Sequence, residues 1–154
     1  MSMQAGPQAG PPVPPVGVVL DTQVVLAMWW FADPAVRALA AAVEGGGLRW
    51  WTTDAMRAEL AHVLGRLPPR PGAASPGHVL GLLDRWSSPV PAAAPLPHLR
   101  CSDPSDQMFV DLAVERRAAW LLSRDRAVLR LRRPAAALGV AIASPEQWPP
   151  PGRS

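Results

Sequence analysis

The stretch VGVVLD (16–21) decides the expected fold, because a short, mostly β-branched apolar run ends in an aspartate. Such a run is typical of a central parallel strand that is covered on both faces. Three further strand-like segments alternate with helical patterns: 48–52, 118–122 and 138–143. Two of the helical patterns open with an Asp-Pro pair, at Asp33-Pro34 and Asp103-Pro104, where aspartate is a good N-cap and proline a good first helical residue. The alternation predicts an α/β fold with a mostly parallel sheet and right-handed crossovers.

The chain of 154 residues is expected to form one domain. We predict a disordered, proline-rich tail over 1–15, a folded domain over 16–148 and a short disordered tail over 149–154. The predicted helices cover 34–43, 54–67, 78–86 and 104–117, and a helical turn follows Asp125. The proline-rich segments 68–77 and 87–98 are predicted to be connections.

Composition excludes several classes of protein. All 15 basic residues are arginine, so enzymes and sites that depend on lysine are excluded, among them Schiff-base enzymes and P-loops. Cys101 is the single cysteine, which excludes an internal disulfide and a cysteine-based zinc cluster. No apolar run reaches the roughly 18–20 residues of a membrane span, and no secretory signal is visible, so the cytoplasm is the expected location. The net charge of +3 favours anionic partners.

Five carboxylates fall at the ends of strands or on helical patterns: Asp21, Glu59, Asp103, Asp106 and Asp125. Asp21 and Asp125 both end apolar runs, and ligands of open parallel sheets bind at the carboxyl ends of the strands. Because a cluster of carboxylates is unstable without a cation, the pattern predicts a divalent-metal site. The alternative is that these residues are helix caps or loop aspartates, with Asp106 in a capping-box position three residues after Asp103.

The phase of the helices separates the helical acids from one another. At about 100° per residue, the side chain of Asp106 points along the buried face of its helix, whereas Asp111 and Glu115 point away and are expected to be solvated. Glu59 lies at the edge of its apolar stripe, from which it can reach an adjacent cleft. Boundary glutamates are also common in ordinary amphipathic helices, so Glu59 alone does not indicate a site.

Four sequence motifs follow one another along the chain: VVLDTQVVL (18–26), TTDAMRAELAHVL (52–64), CSDPSDQMFVDLA (101–113) and AWLLSRDRAVL (119–129). In this order they resemble the motifs of the PIN-domain nucleases, specifically the toxin components of toxin–antitoxin pairs. The resemblance extends from about Val16 to Trp148. Two departures are visible: Gln23 stands where the family usually has asparagine, and Ala127-Val128 replace a common Asp-Leu pair.

The resemblance implies a three-layer α/β/α fold with a central, mostly parallel sheet. It also implies a ribonuclease that uses Mg²⁺ or Mn²⁺ to hydrolyse RNA phosphodiester bonds, acting as the toxin of a toxin–antitoxin pair. The implied catalytic and metal-binding residues are Asp21, Glu59, Asp106 and Asp125. The outer-sphere candidates are Asp103, Ser123 and Thr22. A cognate antitoxin protein and a homodimer are the partners that the resemblance implies besides RNA.

Seven arginines surround the fourth motif, and five of them are predicted to bind RNA: Arg116, Arg117, Arg124, Arg126 and Arg130. Guanidinium groups bind phosphates in a forked geometry and stack on bases. The alternative is a solvated basic face, or charges that complement helix C-termini. For the whole protein, the alternative to a nuclease is a catalytically weak or inactive PIN-fold module that binds RNA or another partner. A haloacid-dehalogenase-type phosphatase is disfavoured, because Gln23 occupies the place of its second aspartate.

Overall fold

The computed structural model describes residues 15–69, 72 and 74–148. Five strands form one sheet: β1 (Val16–Leu20), β2 (Leu48–Thr52), β3 (Ser87–Pro89), β4 (Trp120–Leu122) and β5 (Ala141–Ala143). Their order is β3-β2-β1-β4-β5, and every neighbouring pair is parallel. The predicted fold class, a three-layer α/β/α arrangement around a parallel sheet, is therefore confirmed. The predicted tails fall outside the described residues, except for Pro15.

Within the described residues, seven α-helices cover the two faces of the sheet: α1 (Thr22–Trp29), α2 (Arg37–Glu44), α3 (Asp54–Arg66), α4 (Pro76–Trp86), α5 (Gln107–Glu115), α6 (Arg126–Leu129) and α7 (Arg132–Ala137). Helices α1 to α4 contribute to one hydrophobic core, and α5 to α7 contribute to a second core on the opposite face. Strand β1 serves both cores, since Val18 and Leu20 pack in the first and Val19 packs in the second. An apolar residue is consequently required at each of these positions, which explains the uninterrupted run in the sequence.

The helix starts predicted at 34, 54 and 104 and the helical turn after Asp125 are confirmed, with one refinement, whereas α4 begins at Pro76 and not at the predicted residue 78. Asp33 and Asp103 both act as N-caps, but each caps a short 3₁₀ turn that leads into α2 or α5. Thr53 caps α3 by accepting a hydrogen bond from Met56 N at 3.3 Å. Gly45 is the C-cap of α2. Local side-chain chemistry therefore sets where these helices begin and end.

Three elements were not predicted. Strand β3 lies in the segment 87–98, which was expected to be a connection. It could not be predicted because it is a three-residue edge strand defined by its pairing with β2 and not by an apolar pattern. Helix α1 begins directly after Asp21, and seven of its eight residues are buried, so it shows no polar face in the sequence. Helix α7 precedes β5, which is limited to Ala141–Ala143 instead of the predicted 138–143.

The expectation that Asp111 is solvated is wrong. Asp111 is 6 % exposed, and its Oδ1 accepts hydrogen bonds from Leu96 N at 3.1 Å and from Gln107 Nε2 at 2.8 Å. The connection after β3 covers the face of α5 that points away from the sheet, a contact that helical phase cannot reveal. Glu115 is exposed, as predicted.

Among the described residues, no single helix is long and apolar enough to cross a membrane. The consecutive segments Thr22–Trp29 and Pro34–Glu44 reach that length and composition only as a pair, and they meet at an angle of 108°.

Candidate functional site

The carboxyl ends of β1 and β4 bring the predicted carboxylates into one cleft. Asp21 follows β1 directly, and its backbone N–H donates to Leu122 O at the end of β4 at 3.2 Å. Asp125 lies three residues beyond β4. A cavity of about 230 Å³ is lined by Asp21, Thr22, Gln23, Glu59, Val63, Asp103, Ser105, Asp106 and Asp125. All four predicted catalytic carboxylates therefore line the same cavity, together with Asp103.

Asp21 is held rigidly at the base of this cleft and is only 3 % exposed. Its Oδ1 accepts a hydrogen bond from Val24 N at 3.0 Å, which caps α1, and its Oδ2 accepts one from the hydroxyl of Ser123. Burial raises the pKa of Asp21 to about 6, although both hydrogen bonds favour the ionised form. Ser123 Oγ also accepts from Asp125 N at 3.0 Å, so this buried serine connects two of the carboxylates.

Asp103, Asp106 and Asp125 form the most compact acidic group of the cleft. One carboxylate oxygen from each lies within 4.8 Å of the other two. Asp103 had been expected only as an outer-sphere residue, and the structure brings it as close to the group as the two predicted ligands. Several carboxylate oxygens at such spacing are the donor set that hard divalent cations prefer.

The condition of Asp106 fits a bound cation. Burial, a hydrogen bond with Asp125, and the negative charges of Asp125, Asp103 and Asp21 raise the pKa of Asp106 to about 7. Its Oδ2 is buried and has no hydrogen-bond donor among the described residues. A buried acceptor without a partner costs free energy, as do neighbouring like charges. A cation among these carboxylates would offset both costs, so the residues present fit a divalent metal.

Glu59 and Thr22 lie on the side of the cleft formed by α1 and α3. The Thr22 hydroxyl donates to Glu59 Oε2, which holds the glutamate toward the cleft. Glu59 is half-buried and is not a member of the compact group of three. Its charge is among the causes of the raised pKa of Asp21, so the two carboxylates interact.

A larger cavity adjoins the acidic cleft. Its volume is about 550 Å³, and Gln23 and Asp125 line both cavities. Arg124 lies in its wall and forms ion pairs of 2.8 Å with Asp33 and with Glu146. The aromatic ring of Phe31, which is 48 % exposed, also lines it. The carboxylates are therefore bordered by a space lined by an aromatic ring and by an arginine whose charge Asp33 and Glu146 balance.

The predicted arginine flank is not one surface. Arg124, Arg126 and Arg130 follow β4 and are exposed on the part of the chain that leaves the acidic edge. Arg116 and Arg117 precede β4, so they lie at the opposite end of the sheet, where they line a separate cavity. The prediction grouped them by sequence proximity, which fails because a strand passes between the two sets.

Gln107 is a positioning residue that sequence reasoning missed. Its Oε1 accepts from Cys101 N at 2.6 Å, and its Nε2 donates to Leu99 O and to Asp111 Oδ1, both at 2.8 Å. These bonds fix the segment that leads into Asp103. The only signal in the sequence is a polar residue in the first turn of α5, and it does not reveal these partners.

The family of the chain follows from a comparison with family models. Residues 17–127 match the model described as PIN domain, a match that covers more than half of the chain and includes every carboxylate of the cleft. The protein belongs to the PIN domain family. The comparison with curated proteins gives no match. PIN domains are generally metal-dependent nucleases, and the acidic group of Asp103, Asp106 and Asp125 supplies ligands suited to such chemistry.

Proposed function

We propose that this protein is an endoribonuclease that hydrolyses RNA phosphodiester bonds with Mg²⁺ or Mn²⁺. The observation that carries the proposal is the compact group of Asp103, Asp106 and Asp125 beside the buried Asp21, at the carboxyl edge of the sheet of a PIN domain. A role as the toxin of a toxin–antitoxin pair is the finer part of the proposal. It is supported by the four sequence motifs.

In this proposal, Asp103, Asp106 and Asp125 hold the metal, and Asp21 and Glu59 face it directly or through water. When bound, the divalent ion activates water and neutralises negative charge on the scissile phosphate. Without metal the pKa of Asp21 is about 6, so at pH 7.5 the side chain would face the cation as a carboxylate. Ser123 holds the Asp21 carboxylate in one orientation, which limits the reorganisation needed during the reaction.

The 550 Å³ cavity is the proposed position of the RNA segment next to the cleaved bond. Its volume lies within the range of small-molecule and cofactor sites. Arg124 is held by two ion pairs that both use its Nη2, so it would donate to a phosphate through its other N–H groups, and Phe31 would offer a surface for a base. Arg126 and Arg130 would extend the cationic path.

A cleavage assay tests the proposed activity. Single-stranded RNA is incubated with the purified full chain in Mg²⁺, in Mn²⁺ and in EDTA. We expect cleavage only with metal, and we expect Asp106→Asn to lower the rate by at least about 100-fold, since it removes a charged ligand. Asp54→Asn is the matched control, because Asp54 is an exposed acid on α3, outside the cleft, and should leave the rate unchanged.

Two results would contradict the proposal. Cleavage that persists in EDTA would exclude a metal-dependent reaction. RNA binding without cleavage in either metal would instead support the alternative of an inactive RNA-binding module. The proposed partners, a cognate antitoxin and a second copy of the chain, are tested separately by co-expression with the neighbouring open reading frame and by sedimentation.

A further inference from the structure

A second cationic cavity lies at the end of the sheet opposite the acidic cleft. It has a volume of about 290 Å³ and is lined by Pro15, Gly17, Arg49, Trp51, Arg116 and Arg117, which we call the arginine pocket. Gly17 lies near the start of β1 and Asp21 follows its end, so the pocket is separated from the carboxylates by roughly 13 Å of strand. The proposed nuclease chemistry does not use any of these residues.

The three guanidinium groups of the arginine pocket have no acidic partner. The salt bridges among the described residues use only Arg57 and Arg124 as cations. The chain has 12 aspartates and glutamates, and all of them lie within the described part, so the remaining segments supply no acidic side chain to Arg49, Arg116 or Arg117. Three like charges in one cavity repel one another, and an anionic ligand would relieve that repulsion.

One donor atom of Arg116, its Nε, also lacks a hydrogen-bond acceptor among the described residues. Its guanidinium lies over the ring of Trp51, with 5.1 Å between the guanidinium carbon and the ring centroid. Its Nε is buried and has no hydrogen-bond partner among the described residues. Buried donors are normally satisfied, and an unsatisfied donor costs free energy. The side chain is therefore held in place by an aromatic contact, while its Nε lacks an acceptor among the described residues.

Trp51 forms the aromatic part of the pocket. It is half-buried, and Arg49 also lies over it, at 5.4 Å from the ring centroid. Gly17 makes this position possible, because a Cβ atom at residue 17 would lie 3.1 Å from Trp51 Nε1. Arginines beside an exposed part of an indole are the combination by which proteins bind phosphates and stacked bases of single strands.

We propose that the arginine pocket binds a phosphate group of single-stranded nucleic acid, as a second contact outside the cleavage site. The forked geometry of guanidinium matches phosphate oxygens, and three cations without a protein counter-ion match a polyanion. The inference deepens the proposed function, on which it rests for the identity of the strand as RNA. At about 3.4 Å per stacked nucleotide, roughly 13 Å corresponds to about four nucleotides, so only strands longer than this reach both places.

Equilibrium binding in EDTA tests the pocket without cleavage. A fluorescently labelled single-stranded RNA of 14 nucleotides is titrated with the wild type, Arg49→Gln and Arg116→Gln. Arg37→Gln is the matched control, because Arg37 is an exposed arginine on α2 outside the pocket and its removal changes the net charge equally. We expect both pocket variants to bind the 14-mer about fivefold to tenfold more weakly, with a salt dependence reduced by about one unit of slope. The control should change affinity less than twofold.

Other results would overturn the proposal. Equal affinities of Arg49→Gln and Arg37→Gln for the 14-mer would show that the pocket does not contact the strand. Arg49 is exposed, so its substitution should leave the fold intact, and a loss of affinity in Arg49→Gln would not result from misfolding. Tighter binding of oligoglutamate than of RNA, lost in Arg49→Gln, would assign the pocket to an acidic peptide instead. The binding experiment does not require turnover. A negative result in the cleavage assay would therefore contradict the proposed nuclease activity without deciding whether the arginine pocket binds RNA.

Discussion

The buried hydroxyl of Ser123 forms hydrogen bonds with both Asp21 and Asp125, two of the cleft carboxylate residues. It donates to Asp21 Oδ2 and accepts from Asp125 N, so it orients one carboxylate and the segment that carries another. Groups that orient metal ligands typically change metal affinity or activity by 10–100-fold when they are removed. The importance of Ser123 follows from its two partners, which lie 102 and two residues away in the sequence.

We therefore expect Ser123→Ala to keep the fold but lower RNA cleavage by about tenfold or more, with a higher Mn²⁺ requirement. The loss of the hydrogen bond should also raise the pKa of Asp21 further, which shifts the acidic limb of the pH–rate profile to higher pH. Ser102→Ala is the control, since Ser102 is an exposed serine that does not line the cleft cavity. An unchanged pH profile in Ser123→Ala would contradict the orienting role.

The raised pKa of Asp21 predicts how stability depends on pH without metal. The ordinary pKa of the group is 3.8 and its folded value is about 6, so between these values the folded state binds more protons than the unfolded state. The free energy of unfolding should accordingly fall as the pH rises from 5 to 7.5, by roughly 1–2 kcal/mol from Asp21, with Asp106 acting in the same direction.

Chemical denaturation in EDTA at the two pH values measures this dependence. In Asp21→Asn the difference should become smaller, because the titrating group is removed while an N-cap side chain is kept. A wild-type protein that is more stable at pH 7.5 than at pH 5 in EDTA would show that burial does not govern these carboxylates.

At the level of elements, α5 is tied to the segment in front of it by Gln107. Its side chain joins the 99–101 segment to Asp111 within the same helix. Gln107→Ala would leave several buried polar groups without partners, so we expect a loss of roughly 2–3 kcal/mol in the free energy of unfolding. Mn²⁺ affinity should weaken as well, because the position of Asp103 becomes less defined.

Thermal unfolding and Mn²⁺ titration measure the two effects of Gln107→Ala. Gln23→Ala is the comparison for stability, since Gln23 is exposed and its loss should change the free energy of unfolding by less than about 0.5 kcal/mol. Equal stability of the two variants would mean that the hydrogen bonds of Gln107 do not hold the segment.

The elements that carry their own local signal were predictable from the sequence. The apolar run of β1 and the Asp-Pro starts before α2 and α5 identify themselves by composition and capping. Strand β3 does not, because its three residues become a strand only by pairing with the edge of β2. The four catalytic candidates could be selected by strand ends, helical phase and motif, whereas the closeness of Asp103 to Asp106 and Asp125 depends on a turn whose geometry the sequence does not specify.

In the whole molecule, the two ends of the sheet carry opposite charge. Carboxylates gather at the carboxyl ends of the strands, and the arginine pocket lies at their amino ends. Arg116 and Arg117 are close to Arg124 in the sequence, but β4 spans the sheet between them and separates the two sets. The separation of charge became visible only when the strand order and direction were known.

Stability of the whole molecule should respond to metal. The wild type is expected to gain several degrees in Tm with saturating Mn²⁺ at pH 7.5, because the ion binds the folded state and relieves the repulsion among the carboxylates. Asp106→Asn should unfold at a higher temperature than the wild type in EDTA, since one charge is lost, and it should gain little from Mn²⁺. Differential scanning fluorimetry measures both, and a full Mn²⁺ response in the variant would remove Asp106 from the ligand set.

Two of the cleft carboxylates accept the N-capping hydrogen bond of an α-helix, since Asp21 caps α1 and Asp125 caps α6, while Asp103 caps the 3₁₀ turn before α5. The residue types that perform this capping well include asparagine and serine, which carry no charge. A homologue that is no longer selected for cleavage would therefore be expected to conserve a small polar capping residue at positions 21 and 125, whereas substitution of Glu59, which caps no helix, would be less constrained. Asparagine or serine at both positions, with an unrelated residue at 59, would mark a lineage that lost its chemistry and retained its architecture.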